Sequence, residues 1–448
     1  MARPRNIVVL VADSLRYDSV HAGDSGLPYA TKHGARFTQA RSAGCWTLPG
    51  TASLFTGLMP HEHGADAQSR KVRKDVPMLA GVLHEHGYQT HQITANIATT
   101  EIFGLDRGYD EMVRIWQHVP SQYKKVHEVL ILVGKPRLRK KILSPDFIAG
   151  QLAEDLEASK VWLQNTAEDI FDRARKALAD DTAKGRPSFL FLNLMETHFP
   201  YHVGPLFETT APGPLGKMRE VVALFHTINQ TWLTTGRQPI APDMMRRLRG
   251  RQRLAWQRLA PRVDAFLREM HEAGNLVVFC ADHGDCFGEQ DWVYHFSNVS
   301  DGGNRVPLYW LHPDGHDAGR RIDVPVSSRD VFHALLSEVG DARARFHLVK
   351  EPERSFPVMQ SAWYNNQGKT LDRFRFNQIC FVESGARWAW RRGEWFTAPP
   401  ATDAGEPPFQ RLPPGFDPFA EGVFEKGRVP TLRKTFSEFS EYSARIGA

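Results

Sequence analysis

Asn6-Ile7-Val8-Val9-Leu10-Val11-Ala12-Asp13 is a short apolar run that stops abruptly at an acid. A strand with one wet face alternates apolar and polar residues, whereas a strand covered on both faces is apolar throughout. Asn6 to Ala12 therefore predicts a strand inside a parallel sheet, with Asp13 at its carboxyl end. The stretches Thr90 to Ala95, Ser188 to Leu194, Asn275 to Ala281 and Val306 to Leu311 are read the same way.

Helical patterns lie between these runs. Val76 to His86 is bracketed by Pro77 and Gly87, which suit a helix start and stop. Lys160 to Leu178 and Met244 to Glu272 are long, Arg-rich and amphipathic, and Ser328 to Val339 begins at a capping-type serine and ends before Gly340. Strands alternating with helices predict an α/β fold, a sheet sandwiched by helices. Beyond about residue 345 the pattern changes. Phe356 to Trp363, Arg373 to Val382 and Ala386 to Trp395 read as short antiparallel strands, with turns at Asn365-Asn366 and Ser384-Gly385. Thr397 to Asp417 is rich in Pro and Gly and reads as loop. The expected division is a domain over 1–345 and a small C-terminal α+β subdomain, built on an antiparallel sheet, over 346–448.

Composition narrows the function. The chain has 448 residues, 56 Lys+Arg against 51 Asp+Glu, and 27 Phe, 11 Trp and 10 Tyr, so it carries ample apolar surface for a folded core. The net charge of +5 is scattered and no recognition motif accompanies it, so no nucleic-acid partner is expected. Ile7 to Ala12 is too short for a signal core, and no run approaches the ~18 apolar residues of a membrane span, so a cytoplasmic protein without a transmembrane segment is expected. Cys45, Cys280, Cys286 and Cys380 form no CxxC pair, which argues against a disulfide framework or a cysteine zinc site. Lys124 to Lys141 is basic around an apolar middle and reads as a solvated insertion, with a lid over an anionic substrate or a membrane-surface patch as alternatives.

In an open α/β sheet, ligands bind beyond the carboxyl ends of the strands. Asp13 follows the first run, Asn96 the second, Glu196 and His198 the third, and Asp282 and His283 the fourth. Two Asp and a His form a plausible metal set. The segment Gly44 to Gly57 (GCWTLPGTASLFTG) reads as a turn entering a short helix, with Pro49 at the first helical position and Gly57 at the stop. Thr47 would then sit just before the helix N-terminus, where free N–H groups favour an anion. A hydroxyl there that also met a metal would be acidified into a nucleophile, and a plain capping role is the alternative.

Five segments in order, Asn6 to Arg16, Thr47 to Gly64, Gly104 to Asp110, Phe189 to Tyr201 and Ala281 to Glu289, followed by His295 and Arg305 to Leu308, together resemble the sulfatase branch of the alkaline phosphatase superfamily. The resemblance covers roughly residues 5 to 340 and implies an alkaline-phosphatase-like sheet. It implies a metal site at Asp13, Asp282 and His283, with the nucleophile Thr47 also touching the metal. It places His198 and His295 where the family contacts the transferred group, and Asn96 as a pocket residue.

Three departures matter. The position that sulfatases oxidise to formylglycine holds Thr47, which cannot give that aldehyde, and the following Arg position holds Thr51. Cys45 lies two residues early, without the x-P-x-R frame, and reads as a buried small residue. Ser14 and His283 stand where the family has a second acid and an Asn. The donor set favours one Zn²⁺ or Mn²⁺ ion over Ca²⁺ or Mg²⁺. The expected function is hydrolysis of a small anionic phosphate or phosphonate mono- or diester through a covalent Thr47 intermediate. Sulfate-ester hydrolysis and transfer of a phosphoryl group to an alcohol are the alternatives.

Overall fold

The chain from Ile7 to Ala12 (β1) is buried at every residue, as its unbroken apolar sequence requires. It lies between two parallel neighbours, Ser188–Leu194 and Leu276–Cys280. In this computed structural model the described residues are 5–21, 26–115, 166–199, 201, 242–289, 292–295, 297–362, 376–402 and 405–446. In chain order the other strands of this sheet are Ala35–Phe37 (β2), Gln89–Thr94 (β3), Glu111–Arg114 (β4), Ser188–Leu194 (β5), Leu276–Cys280 (β6), Leu308–Leu311 (β7) and Arg321–Ile322 (β8). Their spatial order across the eight-stranded sheet is β8-β2-β7-β6-β1-β5-β3-β4.

Helices cover both faces. Residues paired across parallel strands share a face, and Phe191 is level with Val9 and Val278. On that face Phe55, from the helix Thr47–Thr56 (α1), meets Phe191 edge-on, with ring centres 4.6 Å apart. Phe279 points the other way and stacks on Trp256 of the helix Pro242–Glu272. Phe266 of that helix stacks at 4.1 Å on Phe171 of the helix Thr166–Ala183. The mostly parallel sheet with helices on both sides is the expected α/β fold.

A separate five-stranded antiparallel sheet is formed by Val358–Ser361, Gln378–Glu383, Ala386–Arg391, Glu394–Ala398 and Gln410–Arg411. The helix Val429–Ile446 packs on it through Phe436, whose ring lies 5.1 Å from Trp395 and 5.6 Å from Trp390. Its core also takes in Ala43 and Met59, and Gln360 N–H donates to Ala43 O at 2.8 Å. The C-terminal sheet thus braces the chain on both sides of α1.

Several details differ from the sequence reading. Leu308–Leu311 runs antiparallel to both neighbours, because an apolar run reports burial on two faces and not direction. The helix expected over Val76 to His86 is Leu79–Glu85, with Met78 still extended. Ser328–Asp330 is a 3₁₀ turn that precedes the helix Val331–Glu338. The strand expected from Ala386 to Trp395 is two strands, folded back at Arg392-Gly393, where φ is positive at both residues. The stretch Thr397 to Asp417 begins with the end of a strand and holds the short strand Gln410–Arg411. The turn at Ser384-Gly385 is present, and the turn at Asn365-Asn366 lies outside the described residues. Lys124 to Lys141 also lies outside them, as does the start of the helix expected from Lys160. No described helix is long and apolar enough to cross a membrane.

Candidate active site

β1 and β6 are parallel neighbours, so their carboxyl ends deliver Asp13 and Asp282 side by side. The helix α1 brings in Thr47. Thr47 is the first residue of that helix and not the one before it, and Pro49 is the third, still within the first turn where no intrahelical N–H bond is lost. Gly57 closes the helix with φ +68°. Gly50 lets α1 come this close, since a Cβ there would stand 2.4 Å from the Asp282 carbonyl oxygen.

The four side chains converge. Thr47 Oγ1 lies 3.4 Å from Asp13 Oδ2 and 3.3 Å from His283 Nε2. His283 Nε2 lies 3.5 Å from both Asp13 Oδ1 and Asp282 Oδ2. All four residues are buried. The His283 Nδ1–H donates to Gly284 O at 2.8 Å, which leaves Nε2 as the ring's lone-pair nitrogen facing the oxygens. Ser14, held at φ +58°, ties down one oxygen of each carboxylate: its hydroxyl donates to Asp13 Oδ1 at 3.1 Å and its N–H to Asp282 Oδ1 at 3.3 Å. The Gln252 side chain in turn donates to Ser14 O at 2.7 Å. Asp282 Oδ2 is buried with no hydrogen-bond partner among the described residues.

That orphaned oxygen and the separations near 3.4 Å fit a shared cation. Tetrahedral bonds of about 2.0–2.1 Å place ligand atoms about 3.3 Å apart. Asp13, Asp282 and His283 form a group able to hold a metal ion. Electrostatics point the same way. Burial, then the charge of Asp13, pushes the Asp282 carboxyl up to about 7. Burial opposes the charged form of His283 too, but Asp282 and Asp13 outweigh it and raise the imidazole to about 9. Burial also works against ionised Asp13, yet the His283 hydrogen bond and nearby histidines hold it below the usual carboxylate range. Two carboxylates this close call for a positive charge between them.

Asn96 reaches the cluster from the end of β3. Its amide donates to Asp13 Oδ2 at 2.6 Å and to Thr47 Oγ1 at 3.2 Å, while its oxygen accepts from Ala98 N–H at 2.7 Å. His198 donates Nδ1–H to Phe199 O at 2.8 Å, and Tyr294 Oη donates to its Nε2 at 3.3 Å. The His295 ring centre lies 4.5 Å from that of His283 and 5.1 Å from that of His198. Burial, then the charges of His283 and His198, holds His295 well below the usual histidine range. The expected residues Asp13, Thr47, Asn96, His198, Asp282, His283 and His295 are therefore all in one place. Glu196 is not among them: it accepts from Thr166 Oγ1 and Ala167 N–H and caps a helix. Cys45 is buried, and burial raises its thiol.

The sequence reading missed Ser14 as a tether, Gln252, Asp285, Tyr201 and Tyr294. Asp285 stands inside the quoted segment Ala281 to Glu289 and Tyr201 ends the segment Phe189 to Tyr201, so both lay within reach. Ser14 drew notice only as a lost acid. Among the described residues two further groups could hold a metal ion: His283, Asp285 and His295, within this cluster, and His312, Asp314 and His316, which lie at the opposite end of the sheet because β7 runs against β6.

The chain resembles arylsulfatase K of Xenopus laevis at 20% identity over 368 residues, which cover 75% of this chain and 63% of that relative. Among solved structures, the phosphonate monoester hydrolase of Agrobacterium radiobacter superposes with a TM-score of 0.62 at 16% identity, over 98% of this chain and 96% of that one. An alkaline phosphatase superfamily protein from Vibrio parahaemolyticus gives a TM-score of 0.56 at 15% identity, over 99% and 89%. The fold is thus alkaline-phosphatase-like. The sulfatase family's sequence profile matches residues 5–340, most of the chain and all the residues of this cluster, and the chain belongs to the sulfatase family.

Proposed function

We propose that this chain hydrolyses phosphate or phosphonate mono- or diesters through a covalent ester on Thr47. The observation that carries this reading is the plain Thr47 hydroxyl set 3.2–3.4 Å from Asn96, His283 and Asp13. A formylglycine can release sulfate through its second hydroxyl, and a threonine has none, which favours phosphorus over sulfur. The phosphonate monoester hydrolase of similar fold supports the same substrate class.

Asp13, Asp282, His283 and Thr47 would hold one divalent ion. An octahedral calcium shell has similar edges, but calcium takes six to eight oxygens, and an imidazole with a few oxygens suits Zn²⁺ or Mn²⁺ better. When bound, that ion supplies positive charge that acidifies the hydroxyl and neutralises a substrate oxygen. Asn96 fixes the direction of the Thr47 oxygen. Thr47 Oγ1 attacks phosphorus in line, the new O–P bond forms as the bond to the leaving oxygen breaks, and His198 and His295 hold the equatorial oxygens or protonate the leaving oxygen. Water then cleaves the Thr47 ester, and an alcohol in place of water would make the protein a transferase.

The test is a panel of aryl phosphate, phosphodiester, phosphonate and sulfate esters with Mn²⁺, Zn²⁺, Ca²⁺ and Mg²⁺. Phosphorus esters should turn over, Thr47→Ala should lower the rate at least about 10³-fold, and intact-mass spectra should show a phosphorus adduct on Thr47. Turnover of the sulfate ester alone, as the likeness to an arylsulfatase would have it, overturns the substrate assignment. Near-normal turnover in Thr47→Ala overturns the nucleophile.

A further inference from the structure

Asp285 has no part in the donor set above, yet it is fully buried beside it. Its Oδ1 accepts Nδ1–H of His295 at 2.7 Å, and its Oδ2 accepts the Tyr201 phenol at 2.8 Å. Its backbone carbonyl accepts Arg16 Nη1 at 2.6 Å. Arg16 is itself locked, with Nε 2.7 Å from Asp18 Oδ1 and Nη1 2.8 Å from Glu289 Oε1. Both carboxylate oxygens and the backbone carbonyl of Asp285 are therefore held.

The backbone shows the same design. Tyr201 and Tyr294 both sit in the left-handed region, at φ +60° and +66°, which bulky residues adopt only when the surroundings over-determine them. One of these tyrosines anchors Asp285. The other contacts His198 through its hydroxyl and lies against the His295 ring, with ring centres 3.6 Å apart. Two imidazoles of the site are thus each held by groups outside the donor set.

We propose that Asp285 is a positioning residue that holds His295 in the Nδ1–H tautomer with its ring beside His198 and His283, and that Tyr201 anchors its carboxylate. The two tautomers of a neutral imidazole are close in energy in water, so a buried acceptor at one nitrogen decides which is present and how the ring is turned. The inference rests on the reading of the Thr47 cluster as the active centre.

The experiment uses the full-length, metal-loaded protein with ¹⁵N-labelled histidine. Long-range ¹H–¹⁵N spectra, assigned with His295→Ala, should show His295 protonated at Nδ1 in the parent and mixed or Nε2-protonated in Asp285→Ala. With an aryl phosphonate monoester, kcat of Asp285→Ala should fall about 10–100-fold, with KM within about threefold and with bound metal unchanged. An unchanged His295 tautomer, or a kcat within twofold of the parent, overturns the proposal. If Asp285→Ala does not fold, Tyr201→Phe removes only the anchoring oxygen. It should broaden or shift the His295 nitrogens and lower kcat by a smaller factor, and unaltered spectra and kcat again overturn the proposal. If Thr47→Ala keeps its activity, the active-centre reading falls, while the His295 spectra still decide the pairing with Asp285.

Discussion

At the scale of single residues, the site is a problem of charge. Asp13 and Asp282 share a buried pocket, and one of them can stay ionised only with help. Without metal that help comes from protons, on Asp282 with a pKa near 7 and on His283 with a pKa near 9. A bound cation has to displace the same protons. Metal affinity should therefore weaken as pH falls, by about tenfold per pH unit for each proton displaced: one proton between about pH 9 and 7, and two below. Equilibrium dialysis with elemental analysis from pH 6 to 8 measures this, and a flat profile would place the metal elsewhere. Asp282→Asn should lose most of the bound metal at pH 7.5, since it removes a carboxylate charge whose Oδ2 has no hydrogen-bond partner among the described residues.

At the scale of elements, the approach of α1 to the end of β6 sets the distance from Thr47 to the acids. Gly50 makes this approach possible, and its φ plays no part: the constraint is the Asp282 carbonyl 2.4 Å from where a Cβ would be. Gly50→Ala should push the helix away. The expected cost is roughly 1–3 kcal/mol in denaturant unfolding, together with weaker metal retention. A variant as stable as the parent with full metal content would show that α1 has slack. The sequence marked this helix and its stop at Gly57, because stops have local signatures. It started the helix two residues late, at Pro49 in place of Thr47, because Pro is tolerated throughout the first turn and so does not mark the first helical residue.

At the scale of the whole molecule, the C-terminal sheet is tied by buried charges to segments that flank the large sheet, the short strand Ala40–Arg41 and the turn of helix Asp301–Asn304. Asp301 accepts from Arg41 Nε at 2.8 Å and from Ala401 N–H at 2.9 Å, and lies 3.9 Å from Arg387. Arg387 also pairs with Glu406, whose carboxylate accepts Asp301 N–H at 3.0 Å and Gly302 N–H at 3.0 Å. Burial disfavours the charge on Asp301, but Arg41 and Arg387 outweigh it and hold its carboxyl well below the usual range. A carboxyl lowered in the folded state stabilises above its unfolded pKa of about 3.9 and loses that contribution as pH falls through the folded value. Asp301→Asn should thus cost about 3–5 kcal/mol at neutral pH, with the gap to the parent narrowing below about pH 4. Unfolding curves at pH 7 and pH 3 test it, and a constant gap would deny the ionic origin.

The sequence alone determined the α/β class, the strand positions and the residues at their carboxyl ends. Asp13, Asn96, His198, Asp282 and His283 could be read because parallel strands present the same end to one side of a sheet. Thr47 could be read from its place at a helix start, with the capping role left as the alternative, and the motif order added His295. Only the tertiary structure decided the direction of Leu308–Leu311, since apolar runs encode burial without polarity. It alone turned Glu196 away to cap a helix and joined Asp285 to Tyr201, 84 positions apart. Such pairings depend on left-handed backbone at Tyr201 and Tyr294 that no local propensity favours and that packing imposes.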